Sequence, residues 1–206
     1  MLVLALFAGN LQAKDHHYAD LYNWAQGVQW INSRPDGQYV HADIHVRSRK
    51  RDVPVSSIKL LIHAKTGDIV VPVSASGELY LPINGALITG NPTIEFTHRV
   101  GVSVEVVASA KPRLAFDYGL IRAMVGEYTR DVSHQDFLPD EFKYVHVRGL
   151  ALAGLKSRSQ VEADCDLNVG KHHGVIVIDY DKQVPAGCHV TLAQQPASMQ
   201  LAFKWF

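Results

Sequence analysis

The chain has 206 residues, of which 47% are hydrophobic and 19% are charged. This composition is typical of a globular protein with a sizeable core, and it excludes an intrinsically disordered chain. Lys and Arg together number 20, as do Asp and Glu, so no net charge attracts nucleic acid or acidic lipid as a partner.

Residues 1–13, MLVLALFAGNLQA, resemble a secretory signal peptide. An apolar run from Leu2 to Ala8 is followed by Leu11 and Ala13, which stand at the −3 and −1 positions of a cleavage site after Ala13. The run is too short to span a bilayer. We therefore expect a periplasmic or secreted protein with no transmembrane segment after cleavage, the alternative being that these residues form an N-terminal core strand.

Cleavage after Ala13 would leave Lys14-Asp15-His16 as the mature N-terminus. A free amine followed by histidine at the third position can hold Cu(II) or Ni(II) in a square plane of nitrogen ligands. His16 is thus the first candidate metal ligand, and copper or nickel is the cofactor class to weigh against a protein without any cofactor.

Tyr18 to Ile31 carries apolar residues at spacings of three and four, which predicts a short amphipathic helix that ends before the turn residues Arg34 to Gly37. Its aromatic residues Tyr22, Trp24 and Trp30 are a candidate interaction surface, because Trp and Tyr are enriched at protein interfaces. The alternative is that these rings pack in the core.

Gln38 to Arg47 alternates between apolar and polar residues and is predicted to be a half-buried strand. Its polar face carries His41, Asp43 and His45, and alternate residues of a strand lie about 6.6 Å apart. His41 and Asp43 could therefore share a metal ion, with His146 as a third ligand if its strand lies alongside. The alternative is a solvent-exposed sheet face.

The stretch from Ile58 to Val107 contains the strongest strand signal in the chain. A strand is expected at Ile58 to Ala64, and a hairpin at Ile69 to Leu81 that turns at Ser74 to Gly77. Ile94 to Phe96 and Val102 to Val106 are expected to form a second hairpin. The basic run from Arg47 to Arg51 precedes this stretch and is interpreted as a solvated strand end, or else an anion contact.

The last third of the chain contains the only two cysteines, Cys165 and Cys188, which are expected to form a disulfide in an exported protein. Closing the loop between them would stabilise the fold by about 3 kcal/mol. His172, His173 and His189 allow a zinc site instead, although no metal-ligand spacing supports it. A helix is predicted from Phe116 to Val132, and strands are predicted at residues 142–155, 161–167, 175–180, 189–193 and 198–205.

Several segments recur in the two halves of the chain, which indicates an internal repeat. Tyr18–Leu21 resembles Tyr118–Ile121, Tyr39–His41 resembles Tyr144–His146, and Gly77–Leu81 resembles Gly174–Ile178; further strand patterns near Ile94 and Val102 return near Val190 and Met199. We therefore predict a mainly β, β-rich α+β protein of two similar halves, each an antiparallel sheet preceded by one helix. Residues 14–112 would form a sandwich-like half and residues 113–206 the half with the disulfide.

The order of YADLYNW, QYVHADIHVR, IVVPVSASGELYLP and GNPTIEF resembles a family of exported proteobacterial proteins of unknown function. The resemblance lies in turn-and-strand patterning over most of the mature chain. It implies a secreted, β-rich protein, and it carries no catalytic residues to transfer.

The sequence lacks the common catalytic signatures, namely a nucleophile elbow, a His-Glu-x-x-His motif, a phosphate-binding loop and a dinucleotide fingerprint. No catalytic residue is predicted. The expected function is a non-enzymatic periplasmic binding or interaction module whose partner is an envelope protein or a small ligand. Copper or nickel binding through the N-terminus is the second hypothesis, and a hydrolase without a recognisable motif is the third.

Overall fold

A computed structural model describes residues 16–132 and 145–204 and confirms a mainly β, β-rich α+β fold. The first half contains β1 (His16–His17), α1 (Tyr18–Asn32), β2 (Val40–Ser48), β3 (Lys59–Ala64), β4 (Gly67–Pro72), α2 (Gly85–Gly90), β5 (Thr93–Phe96) and β6 (Val100–Ala110). The second half contains β7 (Ala115–Asp117), α3 (Gly119–Asp131), β8 (His146–Ala153), β9 (Val161–Ala163), β10 (Val169–His172), β11 (Val175–Asp179), β12 (His189–Leu192) and β13 (Ser198–Lys204). Among these residues, no helix is long and apolar enough to cross a membrane.

The strands form a central sheet and two flanking sheets, all antiparallel. The central sheet has the order β10-β11-β8-β13-β6-β2, and the flanking sheets have the orders β1-β5-β3-β4 and β7-β12-β9. The predicted division at residue 112 falls between β6 and β7. Because β6 pairs with β13, the central sheet crosses that division and joins the two halves.

The strand pairings of one half recur in the other. β1 pairs with β5 and β5 with β3, while β7 pairs with β12 and β12 with β9. Likewise β2 pairs with β6, and β8 pairs with β13. The registers also correspond, since His16 lies opposite Ile94 and Phe116 lies opposite Val190.

Two apolar clusters form most of the core. The larger cluster packs α3 against the central sheet and includes Tyr118, Met124 and Leu150. The second cluster packs α1 against β2 and the sheet of β3, and it includes Tyr18 and Leu60. Trp24 and Val28 of α1 contact both clusters, so this helix connects the two parts of the core.

Each half contains a buried tyrosine that fixes a distant segment through its hydroxyl. The Tyr18 hydroxyl donates to the carbonyl oxygen of Pro82. The Tyr118 hydroxyl donates to the carbonyl oxygen of Asp179 at 3.1 Å and accepts from the amide of Asp181 at 2.7 Å. Both side chains are fully buried, so these bonds tie the start of each helix to the chain beside the central sheet.

The expected second hairpin is wrong, because β5 and β6 lie in different sheets. β5 pairs with β3 and buries Ile94, whereas β6 is buried on both faces along most of its length and lies inside the central sheet. Its neighbours there are β2 and β13. Val100 to Val106 alternate with glycine, serine and glutamate, so periodicity alone did not distinguish a central strand from one arm of a hairpin.

The predicted helix at Phe116 begins three positions later, because Ala115–Asp117 pairs with β12 before the chain turns into α3. Residues 84–91 contain the short helix α2 with its two caps, and this helix was not predicted from the sequence. Asn84 caps its first turn by accepting from the Ala86 amide at 2.9 Å, and Asn91 ends it in the left-handed conformation, with φ of 38°.

Candidate functional site

An open groove of about 520 Å³ lies between the end of α1 and the segment Leu79–Ile83. The lining residues come from α1, from β2 and from this segment: Ala25, Val28, Gln29, Asn32, Ser33, Asp43, Ile44, Leu79, Tyr80, Leu81 and Ile83. We call residues 79–83 the wall segment.

The groove forms because α1 and the wall segment attach to β2 at neighbouring positions and leave a gap between them. On one side, the Asn32 side chain bonds the Ala42 amide at 2.9 Å and the Ala42 carbonyl at 2.7 Å. On the other side, the Leu79 amide donates to the Ile44 carbonyl at 2.8 Å. Beyond Leu79 the wall segment leaves β2. It is held again at Pro82, whose carbonyl oxygen accepts a hydrogen bond from the Tyr18 hydroxyl.

Gly77 holds the start of the wall segment against β2. Ser74 to Gly77 form a turn, as predicted, in which the Gly77 amide donates to the Ser74 carbonyl at 3.0 Å. Gly77 has φ of 101°, and a Cβ there would lie 2.6 Å from Nε2 of His45. Only glycine fits both this conformation and this close approach without strain.

The groove is amphipathic. Leu79 and Leu81 are buried in its wall, whereas Tyr80 is 69% exposed and Ile83 is 41% exposed. The end of α1 contributes the exposed polar residues Gln29, Asn32 and Ser33 to the opposite side. An apolar wall facing a few polar groups is the usual composition of a small-molecule site.

Asp43 is the only ionisable group of the β2 strand that lines the groove. Burial raises the pKa of Asp43 above its ordinary value, and the nearby Glu78 and Glu105 carboxylates raise this pKa further. His41 acts in the opposite direction, because its Nε2 lies 3.2 Å from Oδ2 of Asp43. The ionised carboxylate is therefore less stable here than in water.

Two further carboxylates flank Asp43. Glu105, on β6, is 6% exposed and accepts from Arg47 Nη2 at 2.7 Å. Glu78 accepts from the Tyr80 hydroxyl at 2.9 Å, and this hydrogen bond raises the pKa of Tyr80. Asp43 is the only charged residue of the lining, which contains no lysine or arginine.

The structure brings His41 and Asp43 together but does not supply the third ligand that was expected. His146 begins β8, and β6 and β13 lie between β8 and β2. Three strand spacings amount to about 14 Å, so the expectation that His146 would join His41 and Asp43 is wrong.

Cys165 and Cys188 form the predicted disulfide, with their Cα atoms 5.8 Å apart. Among residues 16–132 and 145–204, the only three potential metal ligands within 4.8 Å of one another are these two cysteines and Asp164. Both sulfurs are used by the disulfide, so this group is not a zinc site. His172 and His189 contact Arg148 and Asp117 instead.

The predicted signal residues 1–13, together with Lys14 and Asp15, lie outside the described residues. His16 is in β1, opposite Ile94, and its Nδ1 lies 3.7 Å from a carboxylate oxygen of Asp20. Tyr18 donates its amide to Pro92, so the alternation of an antiparallel ladder directs the His16 amide toward β5 as well. Square-planar metal binding needs that amide nitrogen, and it would therefore require the β1–β5 pair to open.

The three aromatic residues proposed as an interaction surface differ in exposure. Tyr22 and Trp24 are half-buried and pack against the core clusters, which matches the alternative interpretation for these two rings. Trp30 is 39% exposed, and the Arg34 guanidinium lies 5.1 Å from the centre of its ring. None of the three lines the groove.

The wall segment was not predicted as a site from the sequence. The sequence did contain one indication of this site. The alternation of Leu79 and Leu81 places the large aromatic side chain of Tyr80 on the outer face, where it is exposed. The gap beside it depends on how far the wall segment departs from β2, and strand periodicity does not report that distance.

Comparison with known proteins adds no relative, since no family model, no curated protein and no solved structure matches this chain. The resemblance to exported proteobacterial proteins of unknown function therefore stays a prediction.

Proposed function

We propose that this protein is a non-enzymatic binding module of the periplasm or the extracellular space, and that the groove beside the wall segment is its ligand site. The observation that carries the proposal is the groove itself. Its volume of about 520 Å³ lies in the range of small-molecule sites, about 300–1,000 Å³.

Export is supported by the disulfide between Cys165 and Cys188, because such bonds persist in oxidising compartments. The resemblance of residues 1–13 to a signal peptide also supports export. The mass of the chain recovered from its host tests this part of the proposal. We expect a chain that begins at Lys14 and is lighter by a pair of hydrogens before reduction, whereas a chain with Met1 and free thiols would overturn it.

Binding is favoured over catalysis by the chemistry of the lining. Asp43 and Tyr80 both have a raised pKa, and for Tyr80 the cause is its hydrogen bond to Glu78. A phenol with a raised pKa is a weaker proton donor. Histidine, cysteine and lysine are absent from the lining, and the one aliphatic hydroxyl, that of Ser33, has no histidine or lysine beside it to activate it as a nucleophile.

The groove is tested by screening a small-molecule library against the isotope-labelled protein by NMR. We expect the ligands to shift the amide signals of the last turn of α1 and of the wall segment. Gln29→Trp should fill the groove and abolish these shifts, while the control Asn23→Trp, on an exposed part of the same helix, should not. The groove would be refuted as the site if the ligands caused the same amide shifts in the Gln29→Trp variant, or if the screen found no ligand.

We also infer that the two halves of the chain descend from one duplicated unit. The recurring strand pairings and the matching hydroxyl contacts of Tyr18 and Tyr118 support this inference. The halves have since diverged, because only the first half contributes residues to the groove.

A further inference from the structure

The groove can be traced to a difference in length between the two halves. In the second half, Asp179 lies opposite Gly149 and is also the residue whose carbonyl Tyr118 holds. In the first half, Leu79 lies opposite Ile44, but Tyr18 holds Pro82. Ile178 lies opposite Leu150 as Leu79 lies opposite Ile44, so Tyr80 corresponds to Asp179. Leu81 and Pro82 are therefore additional in the first half, where the wall segment leaves β2.

The residue on the central sheet also differs at this point. The pairing of β8 with β13 shifts register between Ala202 and Phe203, which leaves Arg148 as an extra residue of β8. Beyond this bulge, Leu150 corresponds to Ile44 and Gly149 corresponds to Asp43. A Cβ at Gly149 would collide with the Ile178 carbonyl oxygen, so β11 approaches β8 closely only because this residue is glycine. Asp43 carries a side chain at this position, and it lines the groove.

The charges at the two positions differ in the same way. In the second half, the Nε atom of Arg148 lies 3.4 Å from Asp179, so the charge beside Gly149 is neutralised within the protein. In the first half, Asp43 stands at the position of Gly149, Tyr80 stands at the position of Asp179, and Arg148 has no counterpart. The partner recorded for Asp43 is His41, at 3.2 Å, and the flanking Glu78 adds a further negative charge.

We propose that the groove binds a small organic cation, whose ammonium or guanidinium group pairs with Asp43 while its apolar body lies along the wall segment. This inference rests on the proposed function and names the class of its ligand. The cation supplies to Asp43 the positive charge that Arg148 supplies to Asp179 in the second half. The exposed ring of Tyr80 offers a cation–π contact as well.

The test is a calorimetric titration with four probes of similar length: hexylammonium, hexylguanidinium, 1-hexanol and hexanoate. We expect the two cations to bind at least about tenfold more tightly than 1-hexanol, because a charged hydrogen bond contributes about 1.5–3 kcal/mol. Hexanoate should bind most weakly. Asp43→Asn should remove the advantage of the two cations over 1-hexanol.

Asp166→Asn is the matched control, because Asp166 is exposed in the disulfide loop and does not line the groove. It should leave all four affinities unchanged. Equal binding of cations and 1-hexanol in the groove would overturn the ligand class while keeping the binding site. If NMR placed the bound probes outside the groove, or if no probe bound, the proposed function and this inference would fail together.

Discussion

Three tyrosines allow a direct test of how the fold is held together. Tyr18, Tyr118 and Tyr128 are all almost completely buried, and each hydroxyl can be removed by substitution with phenylalanine without opening a cavity. The three hydroxyls differ in their partners. Tyr118 makes two hydrogen bonds, Tyr18 makes one, and the Tyr128 hydroxyl has no partner among the described residues.

The expected free energies of unfolding follow from these counts. An intramolecular hydrogen bond contributes about 0.5–1.5 kcal/mol to stability, so Tyr18→Phe should cost about 1 kcal/mol and Tyr118→Phe about 2 kcal/mol. Removing the Tyr128 hydroxyl relieves an unsatisfied buried group, so Tyr128→Phe should be neutral or stabilising by about 1 kcal/mol.

Urea unfolding followed by tryptophan fluorescence measures all three variants in one series. The slope of the unfolding transition should stay constant, because no variant changes the surface exposed on unfolding. Equal midpoints for Tyr118→Phe and Tyr128→Phe would refute the reasoning, since the hydroxyls that tie each helix to the central sheet would then contribute nothing. Tyr18→Phe should in addition loosen the wall segment, which is visible as exchange broadening of its amide signals.

Three further predictions use the same assay. The pKa of Asp43 is raised in the folded state, which means that folding disfavours its ionised carboxylate. Asp43 therefore destabilises the folded protein at pH values above this raised pKa, and it has no such effect below the ordinary pKa of 3.8. Asp43→Asn should therefore stabilise the protein at pH 7 but not below about pH 3.8; the same gain at both pH values would contradict this. Replacing Cys165 and Cys188 with alanine should cost about 3 kcal/mol, and an unchanged midpoint would show that the loop is closed by other contacts. Gly67→Ala should cost roughly 1–2 kcal/mol, because the positive φ of Gly67 is unfavourable for alanine. Gly77→Ala should cost more, because a Cβ at Gly77 would also lie within 3 Å of His45 and Val46. Equal losses would show that this close contact has no effect on stability.

Periodicity correctly predicted the elements that are defined by the spacing of apolar and polar residues within their own sequence. The alternation of Val40, Ala42, Ile44 and Val46 with polar residues gave β2 and its buried face correctly. The helix at Tyr18, the turn at Ser74 to Gly77 and the disulfide were also predicted, because each depends on local spacing or on the small number of cysteines.

Strand partners were harder to predict because pairing is decided by contacts between distant residues. β6 was expected to pair with its neighbour in sequence, but its partner β13 begins at Ser198. The matched Tyr18 and Tyr118 segments were visible in the sequence, whereas their hydrogen bonds to Pro82 and Asp179 were not.

The groove was missed for a related reason. It results from a difference in the length of chain between two tertiary anchors, the Ile44 carbonyl and the Tyr18 hydroxyl. Neither anchor belongs to the wall segment itself, so no property of residues 79–83 alone reveals the gap.

The outer edge of β2 has a consequence for how this protein behaves at high concentration. The Val40 amide donates to Glu127 of α3 at 2.9 Å, Ala42 is bonded by Asn32, and Ile44 is bonded by Leu79. An incoming strand from another molecule would have to displace all three before it could pair. This side of the central sheet is therefore protected against edge-to-edge aggregation, and strand exchange between molecules there would first require α1 and α3 to detach.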